Sequence, residues 1–193
     1  MFQHGRECYR RNANFVCYTF YKNILYVLTQ YWFGFYSGFS GQPLYEPFIY
    51  QLYNIVFTGT PIVIYAVFDY QYPKQTFVES GNYHRYMIGL TNEFFTVKVF
   101  WGWMLYATLQ SVCIYFFAFH FVEIASTYAD QSGRAYDFWC AGQNVFFVCV
   151  FLVSFTLLKM HHQYNGWGEV WLALNAVAYF VVLLLESQFS MFP

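Results

Sequence analysis

Lys22 is the residue whose type is hardest to reconcile with its surroundings. It stands eleven residues past Arg11 in an otherwise apolar run and is followed directly by Asn23. At 1.5 Å per helical residue this is about 16 Å, too deep for the ammonium to reach back easily to the end of the run. A second apolar run carries Asn54 near its middle and then Thr58-Gly59-Thr60-Pro61. Counted outward from a turn near Ser40, Lys22 is eighteen residues away and Asn54 fourteen. Antiparallel helices would therefore set them at similar depth, about one helical turn apart. A cation with amides from two neighbouring helices is a coordination set for phosphate or carboxylate oxygens. Pro61 has no N–H for the Phe57 carbonyl and is expected to kink its helix, and the small residues before it admit another backbone closely. The alternative use of Lys22 is structural, as the partner of a carboxylate or a carbonyl. No acid lies at comparable depth in this chain, so a carboxylate would have to come from elsewhere.

What must hold these groups is legible in composition. The 193 residues are 59% hydrophobic, 26% aromatic and only 10% charged, with a formal net charge of −1. A soluble domain is about a quarter charged. Nineteen Lys, Arg, Asp and Glu side chains cannot solvate a surface around 25 Phe and 20 Tyr. An ordinary soluble enzyme, a disordered tail and a nucleic-acid binder are excluded, the last because no basic block exists. A large soluble bundle would still carry polar outer stripes. Five scattered cysteines make no disulfide framework, and no Asn-x-Ser/Thr sequon occurs.

The expected fold is all-α, a polytopic transmembrane bundle. A bilayer core of about 30 Å needs about 20 apolar helical residues. Charge-free intervals place five spans at about 12–36, 44–68, 97–121, 138–159 and 167–187. The whole chain, 1–193, then forms one membrane domain. Alternating sides collects Arg6, Arg10, Arg11, Lys74, Arg85, Lys98, Lys159, His161 and His162 on one face and leaves only Arg134 opposite. The basic face should be cytoplasmic, with the N-terminus inside. The first apolar run is too long for a signal peptide and lacks a small-residue cleavage site, and no lipidation motif precedes it.

Other polar residues point to ordinary membrane roles. Glu46 and His120 fall near the outer ends of spans and read as interface residues. Gln110, Asn144 and Asn175 read as interhelical hydrogen-bonders. Trp101, Trp103, Trp139, Trp167 and Trp171 suit membrane-interface belts rather than a cofactor box. Adjacent His161 and His162 point about 100° apart on a helix, with no acid or Cys at ligand spacing, so a solvated inside loop is expected and no metal site. A channel is disfavoured because too few inward polar residues exist to line a pore.

The flanks of the polar pair carry a resemblance. His4-Gly5-Arg6, Tyr9-Arg10-Arg11, Phe20-Tyr21-Lys22-Asn23, Gln30-Tyr31-Trp32-Phe33 and Gly38-Phe39-Ser40-Gly41-Gln42 resemble the fifth membrane helix and following loop of the P4-type ATPases, the phospholipid flippases. Leu52-Tyr53-Asn54-Ile55-Val56-Phe57-Thr58, with Pro61 and Phe68-Asp69, resembles that family's sixth helix. Phe100-Trp101 and Trp103 resemble the start of its seventh, and Gly133-Arg134-Ala135, Asp137 and Trp139 the loop entering its eighth. The likeness runs from about residue 4 to 187, most specifically in the first third, and makes the five spans helices five to nine of ten.

The resemblance implies ATP-driven movement of aminophospholipid or a related lipid from the outer to the cytoplasmic leaflet of a eukaryotic plasma membrane or endomembrane. It implies that Lys22, Asn23 and Asn54, with Thr58 beside them, form part of the headgroup pathway. ATP and Mg2+ are implied for the complete protein, and so is a two-span accessory subunit. The family's phosphorylated Asp-Lys-Thr-Gly motif, its nucleotide-binding region and its Gly-Asp-Gly-x-Asn-Asp hinge are not in these 193 residues. The chain therefore holds no catalytic residue for ATP hydrolysis and needs the rest of an ATPase polypeptide. It is expected to be a fragment, a truncated product or one piece of a split protein. The competing expectation is a stand-alone multipass structural subunit of a membrane complex, with no transport activity.

Overall fold

The structure, a computed structural model, describes residues 2–69, 93–121, 138–162 and 166–189, and these form helices with no strand among them. The first helix, α1 (Phe2–Tyr36), is followed by α2 (Pro47–Leu52), a π-helical turn (Tyr53–Phe57) and α3 (Gly59–Phe68). Next come α4 (Val97–Ile114), ending in a second π turn (Tyr115–Phe119), then α5 (Phe138–Met160) and α6 (Gly166–Phe189). Taken together, α2 and α3 make the second rod, so the five expected spans are five rods. The 131–133 turn and Gly133, Arg134, Ala135 and Asp137 lie outside the described residues, as do the side chains of Trp167 and Trp171.

Among the described residues three rods are long and apolar enough to cross a membrane, Pro47–Phe68, Val97–Phe119 and Phe138–Met160, and Ala173–Leu184 of α6 is a shorter apolar stretch. A 22-residue rod is about 33 Å long, matching a hydrocarbon core of about 30 Å. Large apolar side chains cover the outside, with Phe117, Ile55 and Phe121 each at least 70% exposed. Such a surface needs lipid rather than water around it.

Helix ends follow local chemistry. The helix α1 begins at Phe2, ten residues before its expected start; Glu7 and Arg10 pair one turn apart, with Arg6 also on Glu7, and support the helix beyond the apolar run. It ends where Gly38 and Phe39 take positive φ values of 60° and 56°, with Phe39 N–H closing onto the Gly34 carbonyl at 2.8 Å. The second rod starts at Pro47 rather than 44. Glu46 caps it by accepting from the Ile49 N–H at 2.8 Å, and Pro47 sits where no intrahelical N–H is needed. Glu46 is thus a helix cap as well as an end-of-span residue.

The core is aromatic. Tyr26 stacks between Tyr45 and Tyr53 at centroid distances of 4.4 and 4.1 Å. Phe146 of α5 turns its edge to all three tyrosines and to Phe57, and stacks on Tyr179 of α6. In lipid such contacts act through dispersion and fit rather than water expulsion. Gly142 lets α5 approach the segment leading into the second rod: a Cβ there would stand 2.2 Å from the Leu44 carbonyl oxygen. Interhelical amide bonds complete the packing. Gln110 accepts from the Tyr21 hydroxyl, and Asn144 Nδ2 donates to the Ala118 carbonyl at 3.1 Å.

Candidate functional site: a buried lysine at a broken helix

The second rod breaks where its sequence cannot sustain a helix. Pro61 withholds the N–H that the Phe57 carbonyl would take. The chain responds upstream with a wide turn: Thr58 N–H bonds the Tyr53 carbonyl five residues back at 3.1 Å, and Thr58 leaves helical geometry at φ −125°. Gly59 permits the tight recoil, since a Cβ there would meet the Asn54 carbonyl at 2.5 Å. The expected kink at Pro61 is therefore spread over Tyr53–Thr58.

Hydroxyls reclaim the loosened carbonyls. Thr58 Oγ1 donates to the Tyr53 carbonyl at 2.7 Å, and Thr60 Oγ1 to that of Ile55 at 3.2 Å. Lys22 of α1 meets this break. Its Nζ donates to Thr58 Oγ1 at 2.7 Å, and the Tyr53 hydroxyl returns a bond to the Lys22 carbonyl at 2.9 Å. Lys22 and Thr58 are both buried. Among the described residues no carboxylate pairs with Lys22, so its charge rests on one hydroxyl and keeps two further ammonium protons.

The sequence-predicted residues divide accordingly. Lys22, Thr58 and buried Pro61 come together, but Asn23 and Asn54 are exposed and do not bond Lys22. Asn23 is turned about 100° from Lys22 on α1 by helical geometry. Asn54 lies four residues before Thr58, across the wide turn, and is exposed whereas Tyr53, Phe57 and Thr58 are buried. In place of a shared shell of amides, Lys22 meets the Thr58 hydroxyl.

Sequence reasoning missed a second polar cluster, at the base of the bundle. Arg10, only 1% exposed in its side chain, bonds Asp69 Oδ2 at 2.8 Å and Glu7 Oε2 at 3.0 Å. It also donates to the Tyr65 hydroxyl at 3.3 Å, which Asn14 Nδ2 reaches at 2.9 Å. Burial works against the Arg10 charge, but Asp69, Tyr65 and Glu7 outweigh it and hold the guanidinium above its ordinary pKa. Arg11 caps the end of α3 through the Ala66 and Val67 carbonyls at 2.9 and 3.1 Å. The backbone N–H of His162 donates to Asp69 Oδ1 at 2.9 Å. His161 packs edge-on against Tyr65 at 5.1 Å, and burial lowers its pKa. The His pair is thus tied to the bundle rather than held in a free loop; only His162 is exposed. Phe68-Asp69 at the end of an apolar span was the available signal, since a buried Asp there requires a cation.

Comparison with known proteins adds the family. Residues 1–192 match the profile described as the phospholipid-translocating P-type ATPase C-terminal region. The chain is 33% identical over 150 residues to a phospholipid-transporting ATPase of Schizosaccharomyces pombe, covering 74% of this chain and 11% of that protein. It is 29% identical over 193 residues to phospholipid-transporting ATPase ID of Homo sapiens, covering 98% of this chain and 16% of that protein. Phospholipid-transporting ATPase DRS2 of Saccharomyces cerevisiae is 30% identical over 195 residues, with 98% and 14% covered. The chain thus spans between about a tenth and a sixth of the length of these relatives.

Proposed function

The chain belongs to the phospholipid-translocating P-type ATPase family, in its C-terminal membrane region, and on that premise we propose that it is the membrane module of an ATP-driven phospholipid flippase. The observation that carries this is the buried Lys22 ammonium resting on a single hydroxyl at a helix break. A charge in mid-bilayer costs roughly 2.5–3.5 kcal/mol on insertion scales, so its retention calls for a task or a partner. A phosphate or carboxylate oxygen of a lipid headgroup would supply the missing partner. Asn23, next to Lys22 in sequence, and Asn54, four residues before Thr58, are exposed, so an arriving headgroup would meet their amides first. The acyl tails would stay in the surrounding lipid.

Transport runs from the outer to the cytoplasmic leaflet in this reading, with the Arg6, Arg10 and Arg11 end of α1 in the cytoplasm. A eukaryotic plasma membrane or endomembrane is the setting. ATP and Mg2+ act on the rest of the ATPase polypeptide. Among the described residues no group of three His, Cys, Asp or Glu side chains fits a metal ion, and Glu7 and Asp69 are engaged by arginine. A two-span accessory subunit is the further partner the family reading carries.

The test is Lys22→Ala in the complete polypeptide, reconstituted in vesicles of defined phospholipids. Lipid-stimulated ATP turnover should fall about tenfold, as loss of one charge-assisted contact would produce. Unchanged turnover with unchanged headgroup dependence would remove the proposal. The second reading, a stand-alone structural subunit in which the Lys22–Thr58 bond only ties two helices, would be favoured by a mature protein of 23.0 kDa with no ATPase polypeptide attached.

A further inference from the structure

The broken rod deprives the Phe57 carbonyl of the N–H that a regular helix would offer it from residue 61. Tyr53 and Ile55 have their carbonyls taken up by Thr58 and Thr60 of the same rod. Phe57 faces proline four residues on and depends on another part of the chain. The donor is Asn175, in the middle of α6: its Nδ2 donates to the Phe57 carbonyl and reaches Ser154 Oγ of α5 at 3.4 Å. Asn175 is buried, although its neighbours Leu174 and Val177 are 49% and 57% exposed.

The bond falls at a mechanically special place. The Phe57 carbonyl and the Thr58 N–H belong to one rigid peptide plane. Asn175 holds one edge of that plane, and the Tyr53 carbonyl holds the other through Thr58 N–H at 3.1 Å. The plane carries directly into Thr58, whose hydroxyl receives the Lys22 ammonium. Asn175 also lines a cavity of about 80 Å3 with Val56, Thr60, Pro61, Leu174 and Ala178. Phe57 and Thr58 are fully buried, so packing and these two hydrogen bonds together set the plane.

We propose that Asn175 is a positioning residue of the lipid pathway: its amide replaces the backbone donor lost at Pro61 and so fixes Thr58 against Lys22. The role rests on the reading of Lys22 given above. It makes α6, far away in sequence, a determinant of the site between α1 and the second rod. It also makes Asn175 necessary only while residue 61 is proline.

That condition gives the test, a cycle of Asn175→Leu and Pro61→Ala in the complete polypeptide. With Pro61 present, Asn175→Leu should raise the lipid concentration for half-maximal ATP turnover roughly tenfold, with a smaller effect on maximal turnover. With Pro61→Ala, which restores an N–H to the Phe57 carbonyl, the same substitution should change it by less than about twofold. Thermal midpoints of the purified proteins should be non-additive in the same sense. If Asn175→Leu does not accumulate, Asn175→Ser carries the same cycle. Equal penalties in the two backgrounds, in lipid dependence and in midpoint, overturn the proposal. Lys22→Ala, run alongside, separates the two ideas. A silent Lys22→Ala with non-additive midpoints supports the Asn175 joint and removes the headgroup reading, whereas additive midpoints sink the joint whatever Lys22→Ala does.

Discussion

Removing Arg10 should be among the most damaging single changes in this chain, and the reason lies at the base of the bundle. The guanidinium is engaged by Glu7 through Nε at 3.1 Å and Nη2 at 3.0 Å, and by Asp69 at 2.8 Å. The Asp69 side chain is fully buried. Arg10→Met would leave that carboxylate without its guanidinium and loosen Glu7, which retains Arg6 at 3.0 Å. Breaking a buried pair from one side costs about 3–5 kcal/mol, which corresponds to roughly 6–20 °C in unfolding midpoint for a domain of this size. The assay is thermal unfolding of the protein in detergent or nanodiscs, with exposed Lys98→Met as a control expected to shift stability by no more than about 0.5 kcal/mol. Removing both charges, Arg10→Met with Asp69→Leu, should recover at least about half of the loss, because the penalty is chiefly that of a buried carboxylate stripped of its guanidinium. The shift should also change little with added salt, since buried pairs are weakly screened. A single substitution no worse than the Lys98 control would refute the reasoning, and so would a double substitution worse than Arg10→Met.

Two further outcomes follow from the same geometry. Gly142→Ala should destabilise by about 1–3 kcal/mol, measured by the same unfolding assay, because its Cβ would stand 2.2 Å from the backbone oxygen of Leu44, which cannot swing aside. Burial holds the His161 pKa below its ordinary 6.5, against the pull of Asp69. The unfolded chain therefore binds more protons between that lowered value and 6.5, so His161 makes stability rise with pH across this window and fall on acidification through it. His161→Gln should flatten that part of a stability-versus-pH curve; an unchanged slope would contradict the assignment.

Much of the architecture could be read from charge spacing alone. Spans expected at 97–121 and 138–159 correspond to helical rods at Val97–Phe119 and Phe138–Met160, since apolar runs bounded by ionisable groups leave a helix in lipid little freedom in length. Where the sequence put ends in the wrong place, short-range polar chemistry had intervened. Arg6, Glu7 and Arg10 lengthen α1, and Glu46 with Pro47 shortens the second rod.

Lys22 and Pro61 announce themselves in the sequence because each violates a local rule, a charge in an apolar run and a helix residue without its donor. The same rules flag Asn175 as an interhelical hydrogen-bonder, but they cannot say which carbonyl it serves. Composition, the spacing of charges and Pro61 indicated that this chain is a membrane bundle, where its rods run and which rod must break. Tertiary structure alone decided that Thr58 rather than Asn54 meets Lys22, that Asn175 serves Phe57, and that Arg10 and Asp69 join across the base. Those choices depend on the angular phase of each helix about its axis. A π turn or a bent rod resets that phase by tens of degrees without changing a single residue.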